Sequence, residues 1–309
     1  MFSDAIEALF NDVDLLATRV VALPQIILVL GGPAKVTCTD PNQSNRHVFL
    51  TEMFRINDPL ADILKMPEDY PAWNQFDGYP NLVEFEKDAG SLSKAILLFS
   101  ESFGAIAELS NFANDPILRD RLVAVFSKKH YQQDSYIKLG PIKQIEDLYE
   151  NSICVVSADS PSDFISEVND VAVALKAKCD LNPRTTKFDL TQRRDRFLLM
   201  ADLVDLFSAL SIKDFQNIFE KLSITSDKKT LERELKLLEM FGLIVSSTSD
   251  RKFFIAPKGS LRQSFLDYKA KVGSTSFDRS RRKTHFFELL RADRPRHKAY
   301  QFVHEVTPT

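Results

Sequence analysis

Leu97–Asn114 reads LLFSESFGAIAELSNFAN, and the fold turns on how this stretch is interpreted. Its first residues close a longer run, Ala95–Phe99 (AILLF), that is short, continuously apolar and flanked by polar residues. Such a run predicts a strand buried on both faces of a parallel sheet. Ser100–Gly104 then turns the chain into a helix. Ligands of parallel α/β sheets bind beyond the carboxyl ends of the strands, which is where this turn falls. Gly104 lets backbone approach a ligand, and Glu108, one turn into the helix, leans back toward the helix N-terminus. A carboxylate in that place can meet a sugar.

Outward from this unit the chain alternates strand and helix. Asp4–Val21 has apolar residues at Ile6, Leu9, Phe10, Val13, Leu16 and Val20, which predicts a helix. Pro24 stops it, QIILVL supplies a strand, and Gly31-Gly32 permits a tight turn next to a ligand. Further strands are expected at His47–Leu50, Arg121–Phe126 and Ile153–Val156. Helices are expected at Leu60–Leu64, Leu82–Leu92, Ile106–Phe112 and Ser162–Lys178, the last capped by Ser160 or Ser162. The alternation predicts an α/β fold with a parallel, doubly wound sheet. Asp180–Gln192 is polar and contains Pro183, as a linker would. After it come three amphipathic segments, Arg194–Leu210, Ile212–Leu222 and Lys228–Phe241, then Gly242 as a cap and a hairpin closing over Thr248–Asp250. Three helices and a hairpin wing predict a C-terminal winged helix-turn-helix domain. The expected division is residues 1–180, residues 190–260 and a basic extension over 261–309.

With 309 residues, 44% of them hydrophobic, the chain can bury a sizeable core, and its length suits two domains. A net charge of −3 implies no global attraction to nucleic acid, although Arg279–Lys298 is strongly basic. Cys38, Cys154 and Cys179 are far apart and lack metal-ligand spacing, which argues for reduced thiols and against a zinc site. His47, His130, His285, His297 and His304 are equally scattered, and no cofactor or metal is expected. The acidic, amphipathic N-terminus is unlike a signal peptide and no apolar run approaches the ~20 residues that span a bilayer, so a cytoplasmic protein without membrane contact is expected.

Glu108, standing alone, is explained by a first-turn acid favoured by the helix macrodipole. Its context adds to that. ESFGAIAELSNFAN resembles the ESPGSxxELGAFxN signature of the nucleoside deoxyribosyltransferase-like effector proteins of bacterial retrons, in which catalysis is ascribed to the Glu before Leu, here Glu108. ILVLGGP (Ile27–Pro33), the acidic helix NLVEFEKDAGSLSKA (Asn81–Ala95) and YIKLGPIKQI (Tyr136–Ile145) resemble further parts of the family, in the same order and spacing. Phe103 stands where the family has Pro, Ser110-Asn111 replaces Gly-Ala, and Asn57–Tyr79 is longer than the family pattern. The resemblance implies a Rossmann-like, deoxyribosyltransferase-type sheet followed by a winged helix.

It also implies roles. Breaking an N-glycosidic bond builds positive charge on the ribose, which an apposed carboxylate stabilises or captures. Glu108 is assigned that work. Glu86 matches the family's second acid, which touches base or sugar, with Asp88 as a further substrate contact. A solvated acidic helix face explains both nearly as well. Glu101, Ser102 and Gly104 would contact the ribose, or serve as a turn acid, a helix cap and a turn glycine. Gly31 and Gly32 would line ribose and phosphate, although Gly-Gly alone is weak evidence. Trp73 reads as a lid stacking on a base or as a small satellite core. Lys228, Lys229 and Arg233 on the third C-terminal helix, with Arg281, Arg282 and Lys283 in the basic extension, are candidates for phosphate contact.

The expected function is that of a toxic effector in a retron anti-phage defence system. It would be an N-glycosidase acting on a nucleotide, with NAD favoured for its cationic leaving group. Its partners would be the retron reverse transcriptase and its RNA-linked single-stranded DNA, with an oligomer within that complex left open. The alternative is a non-catalytic, nucleotide-sensing DNA-binding regulator or an adaptor of the reverse transcriptase.

Overall fold

The computed structural model describes residues 2–34, 44–69, 78–158, 160–181, 185–247, 251–258 and 264–305. The chain divides into two units, residues 24–183 and residues 1–23 together with 184–309. Helix α1 (Phe2–Asp12) and strand β1 (Val13–Val20) therefore belong with the C-terminal part of the chain. This differs from the expected 1–180 domain, and the single expected helix over Asp4–Val21 ends halfway. Asp14 ends it: its Oδ1 accepts the N–H groups of Leu16 and Ala17 at 2.9 and 3.2 Å, a local turn that competes with helical bonding. The strand that results pairs antiparallel with β11 (Leu266–Ala270) and β7 (Thr186–Lys187) of the same unit, with its register relative to β11 shifted between Asp14 and Arg19.

The central unit is a five-stranded sheet. Its strands are β2 (Ile27–Leu30), β3 (Leu64–Lys65), β4 (Ala95–Phe99), β5 (Leu122–Ser127) and β6 (Ile153–Val156), all parallel and in spatial order β3-β2-β4-β5-β6. The order reverses between β2 and β4, so the connections after these two strands run to opposite sides of the sheet, the switch point whose crevice binds ligands in such sheets. Period-two alternation sorts the core into two layers. Val29, Leu97 and Val123 are in register and pack with Phe49, Phe164 and Leu175 on one face. Leu28, Ile96 and Leu122 face the other way, toward α3 (Leu82–Leu92), α4 (Phe103–Asn114) and α5 (Pro116–Arg121). A Cβ on Gly90 of α3 would stand 2.9 Å from both Ile96 and Leu118, so the absence of a side chain lets this helix pack close to β4 and α5. Buried Arg121 then donates to the carbonyls of Gly90, Ser91 and Ser93, capping the end of α3.

Two expectations on the other face change. His47–Leu50 is part of a helix, α2 (Asn45–Arg55), and Leu60–Leu64 is a single 3-10 turn leading into β3. A short apolar run such as HVFL cannot be assigned by periodicity, and here the caps decide. Ser44 accepts the N–H of His47, while Glu101 accepts those of Asn45 and Arg46 from far away in sequence. Beyond β5, α6 (Lys128–Tyr131) and a wide helical turn at Lys138–Ile142 lead into α7 (Lys143–Glu146). The helix expected at Ser162–Lys178 starts as a 3-10 turn and continues as α8 (Val168–Leu181).

The second unit is built around α9 (Arg193–Phe207), which is buried on all sides from Phe197 onward. Its sheets are β11-β1-β7, with β7 at Thr186–Lys187 and β11 at Leu266–Ala270, and β8-β10-β9, with β8 at Ala209–Ser211, β9 at Val245–Ser246 and β10 at Phe253–Ile255. Helices α10 (Ile212–Lys221) and α11 (Lys228–Met240) follow α9 and β8, so three helices and an antiparallel hairpin are present. The hairpin tip at Thr248–Asp250 lies outside the described residues.

The basic stretch is not a separate extension. It forms α12 (Arg279–Ala292) and α13 (Arg294–Glu305), which close this unit. Phe286 stacks on Phe207 at 4.1 Å, and Arg279 bonds Asp202 (2.7 Å) and Asp205 (2.9 Å) of α9. Arg296 bonds both carboxylate oxygens of Asp214 and lies 4.1 Å over the Phe2 ring. A buried carboxylate that loses its cation is strongly destabilising. Arg279→Met should therefore cost about 3 kcal/mol of unfolding free energy, since Asp202 keeps its burial and loses its counter-charge. Urea denaturation of the full chain tests this, and a change below about 0.5 kcal/mol would show the pair to behave as a solvated one.

Candidate active site

The exits of β2 and β4 are pressed together by their backbones. Gly31 has φ of 134°, and a Cβ there would lie 2.6 Å from the Phe99 carbonyl oxygen, so only glycine fits. At Gly32 a Cβ would meet Ser44 at 2.9 Å and Glu101 Oε1 at 3.3 Å. The exits of β2 and β4 and the start of α2 thus converge on the crevice.

Arg46, in the first turn of α2, is 2% exposed and dominates the charge there. Its guanidinium donates to the Gly32 carbonyl at 3.2 Å and holds both oxygens of Glu68 at 2.9 and 2.7 Å. Neither Arg46 nor Glu68 is singled out by the sequence. Glu68 falls in the stretch between Asn57 and Tyr79 that is long for the resembling family, and Arg46 sits just before the strand expected at His47–Leu50. Burial works against the Glu68 anion, but Arg46 outweighs it and holds the carboxyl below its ordinary range.

Glu86 and Glu108 complete the cluster. Glu86 is 4% exposed on α3 and has no hydrogen-bond partner among the described residues. Burial, then the charges of Glu108 and Glu68, push its carboxyl up to about 8. Glu108, on α4, is half-buried and its Oε2 is buried without a hydrogen-bond partner. Burial raises it as well, Arg46 opposes that shift, and Glu68 adds to it. The two acids therefore differ. Glu86 holds its proton at neutral pH, whereas Glu108, nearer the guanidinium's influence, is the more readily ionised.

The remaining expected contacts sort by their partners. Glu101 accepts the N–H groups of Asn45 (2.6 Å) and Arg46 (3.0 Å), holding the start of α2, and burial raises its carboxyl despite these donors. Ser102 caps α4 by accepting from Ala105 N–H at 3.1 Å. Asp88 turns away from Glu86: it is 1% exposed and accepts from the Tyr79 hydroxyl at 2.8 Å, a structural bond. Gly104 opens onto free space, with Ser102 Oγ at 3.7 Å as its nearest would-be contact. Trp73 lies outside the described residues. Asn45 Oδ1, Arg46 Nε, Ser100 Oγ and Glu108 Oε2 are all buried and unbonded around this crevice, a concentration of unmet polar groups that marks a place for a ligand. No group of three His, Cys, Asp or Glu among the described residues is disposed to hold a metal.

In the other unit Lys228 and Lys229 are exposed on α11, Lys228 within 3.6 Å of Glu232. Arg233 is half-buried. Arg282 bonds Asp12 and Lys283 bonds Asp205, both at 2.7 Å, so the two cations expected to meet phosphate spend their charge inside the unit. Arg281 stays exposed. No helix among the described residues is long and apolar enough to cross a membrane.

A parallel α/β sheet with an acidic cluster at its switch point defines an α/β protein with a candidate ligand site of carboxylates around one arginine. The model of the STM3845 retron effector protein family matches residues 42–246, and the chain belongs to that family. The match takes in Arg46, Glu68, Glu86 and Glu108 and ends before α12. Two relatives from Escherichia coli are similar. One, named "Retron Ec73 putative ribosyltransferase/DNA-binding protein", is 26% identical over 174 residues, covering 51% of this chain and 55% of the relative. The other, named "Retron Ec86 putative ribosyltransferase/DNA-binding protein", is 27% identical over 136 residues, covering 44% and 43%. The chain spans about half the length of the curated relatives it matches.

The raised Glu86 couples the site to stability. Unfolding returns this carboxyl to its ordinary 4.5, so between pH 4.5 and about 8 the folded protein holds a proton that the unfolded chain has lost. Stability should fall as pH rises through that window, by up to about 1.4 kcal/mol per unit from this group. Glu86→Gln, neutral at every pH, should match wild type near pH 4.5 and exceed it by a few kcal/mol (~3) at pH 8. Denaturation curves at the two pH values decide, and parallel losses in both proteins would place Glu86 in water.

Proposed function

We propose that this retron effector is a toxic N-glycosidase of anti-phage defence that releases the base from a nucleotide, with NAD as the favoured substrate. The observation that supports this is the pairing of a protonated Glu86 with a more acidic Glu108 at the switch point. The C1′–N bond breaks and its electron pair leaves with the base. Glu108 faces the cationic ribose and stabilises it or forms a C1′ ester that water then hydrolyses. Nicotinamide leaves as a neutral ring. A base that would leave as an anion needs a proton, which Glu86 is placed to give. A ribosyltransferase name on both relatives fits chemistry at the same bond.

The C-terminal unit is read as a winged helix-turn-helix, with β9 and β10 as the wing. Its three helices and hairpin support that reading, and Lys228, Lys229 and Arg281 are among its exposed cations. It would dock the chain on the reverse transcriptase and its RNA-linked DNA in the cytoplasm, where the complex, in some oligomeric form, controls the glycosidase. The DNA-binding part of the relatives' names favours this role, and it also keeps a nucleotide-sensing regulator or adaptor without turnover in view.

Glu108→Gln keeps size and removes charge, so base release from NAD and toxicity should fall by about 10² or more while the fold persists. Glu86→Gln should cost less on NAD than on a purine nucleotide, whose base must be protonated. Chromatography of released base from purified protein, alone and with its cognate complex, measures both. Wild-type turnover by Glu108→Gln would remove Glu108 from catalysis and favour the sensor.

Lys228→Glu with Lys229→Glu should weaken co-purification with the RNA-linked DNA and flatten its dependence on salt by about two phosphate contacts. An unchanged salt profile would assign the contact to another surface.

A further inference from the structure

Helices α12 and α13 divide their cations between two uses. Arg279, Arg282, Lys283 and Arg296 turn to Asp202, Asp12, Asp205 and Asp214 inside the unit. Arg281, Arg291, Arg294 and Lys298 are exposed, and none has a side-chain partner among the described residues. The helix period gathers them. At about 100° per residue, Arg281, His285, Glu288 and Arg291 fall within about 120° of one another around α12, opposite the buried Phe286 and Leu290. Arg294 and Lys298 are one turn apart at the start of α13, which buries Ala299 and Val303 instead.

The two helices hold these cations on a rigid support. Phe287 of α12 meets Tyr300 of α13 edge to face at 5.3 Å, and Arg296 bonds both Asp293, between the helices, and Asp214 of α10. Four unpartnered cations with one interleaved acid, Glu288, form a positive field that favours a polyanion. A lipid surface would call for large apolar side chains spread along the face, to insert below the headgroups. Phe302, 50% exposed, is the one large apolar side chain exposed on these helices among the described residues. It follows Lys298 by one helical turn, as the exposed ring of His285 follows Arg281. A flat ring beside a cation suits a single nucleic-acid strand, whose phosphates meet the charge and whose unpaired bases are free to stack.

We propose that the α12–α13 face is a binding tract for single-stranded nucleic acid, in which Arg281, Arg291, Arg294 and Lys298 hold backbone phosphates and Phe302 stacks on a base. It is a second contact surface, besides α11, and it lies beyond residue 246, where the family match ends. Contacts of this kind carry no sequence preference and weaken as salt rises. The proposal rests on the reading that this unit docks on RNA-linked DNA only for the identity of the strand.

Fluorescence anisotropy of a labelled oligothymidine of about 20 nucleotides, titrated with the full-length protein across about 50–200 mM salt, tests the face. Arg291→Gln with Lys298→Gln should weaken binding about tenfold and lower the slope of log K against log salt by about 1.4, at about 0.7 per phosphate of a single strand. Arg291→Lys with Lys298→Arg should keep both at wild-type values. Phe302→Ala should weaken binding about tenfold at unchanged slope, the mark of stacking rather than charge. Wild-type affinity and slope in the doubly neutralised protein, with loss only on Lys228→Glu and Lys229→Glu, would overturn the face and leave α11 as the DNA contact. A wild type that ignores oligothymidine and binds vesicles rich in anionic lipid would overturn it in favour of a membrane surface, and one that binds neither would leave the face a solvated one. A duplex of equal length bound as tightly as the single strand would refute the assignment to single strands. Oligothymidine binding by a protein that fails to co-purify with the RNA-linked DNA would overturn the docking reading and leave the face standing.

Discussion

Everything at the switch point depends on the guanidinium of Arg46. Four carboxyl side chains, Glu68, Glu86, Glu101 and Glu108, gather where two parallel strands end, and like charges in such a place repel strongly when water is excluded. Arg46 is the buried cation among them. It neutralises Glu68 through two bonds, moderates the upward shift of Glu108, and ties α2 to the β2 exit through the Gly32 carbonyl. Glu101 in turn holds the N-terminus of α2, and hence Arg46, in place. Removing the cation would take away the influence that opposes the upward shift of Glu108 and the partner that holds Glu68 below its ordinary range.

That dependence explains which parts of the site could be read from sequence. β4, α4 and Glu108 are local: a continuous apolar run and a Ser102 cap mark them, although α4 starts at Phe103, three residues before the expected Ile106, and α3 runs over Leu82–Leu92 as its periodicity indicates. Gly31-Gly32 is local too, because its tight turn is written in two adjacent residues. Arg46 and Glu68 are not. Their role arises from contacts 14 and 22 residues apart and from a cap supplied by Glu101 at a distance of 55. The signal was present only as an arginine next to an ambiguous apolar run. Glu86 and Asp88 show the same limit: two acids on one helix looked alike, and it is the Tyr79 hydroxyl that commits one to structure and leaves the other to the site.

The second unit shows why charge in a sequence is not charge on a surface. A basic run from Arg279 reads as a nucleic-acid tail, but α9 carries Asp202 and Asp205 into the core, and their desolvation demands partners. Arg279 and Lys283 supply them: burial works against the Asp205 anion, but the bonds from Lys283 and Arg279 outweigh it and hold the carboxyl below its ordinary range. The acids that call for these cations lie more than 70 residues earlier. The helices that look like an appendage are therefore part of the core, and α1, at the other end of the chain, joins them through the Arg282–Asp12 pair and the Phe2 ring beneath Arg296.

The unequal acidity of Glu86 and Glu108 links this architecture to chemistry. A glycosidic bond needs an anion beside the sugar and, for some bases, a proton beside the leaving group, and two equivalent carboxyls could not hold those opposite states at one pH. Here the inequality has a structural origin. α3 buries Glu86 with no cation at hand, while α4 places Glu108 within the influence of Arg46. The stability lost by keeping an acid in the α3 face is thus the same term that holds a proton ready near neutral pH. A hydrophobic residue in place of Glu86 would fold at least as well, so the stability this acid costs the fold is offset, in the proposed chemistry, by what its proton can do.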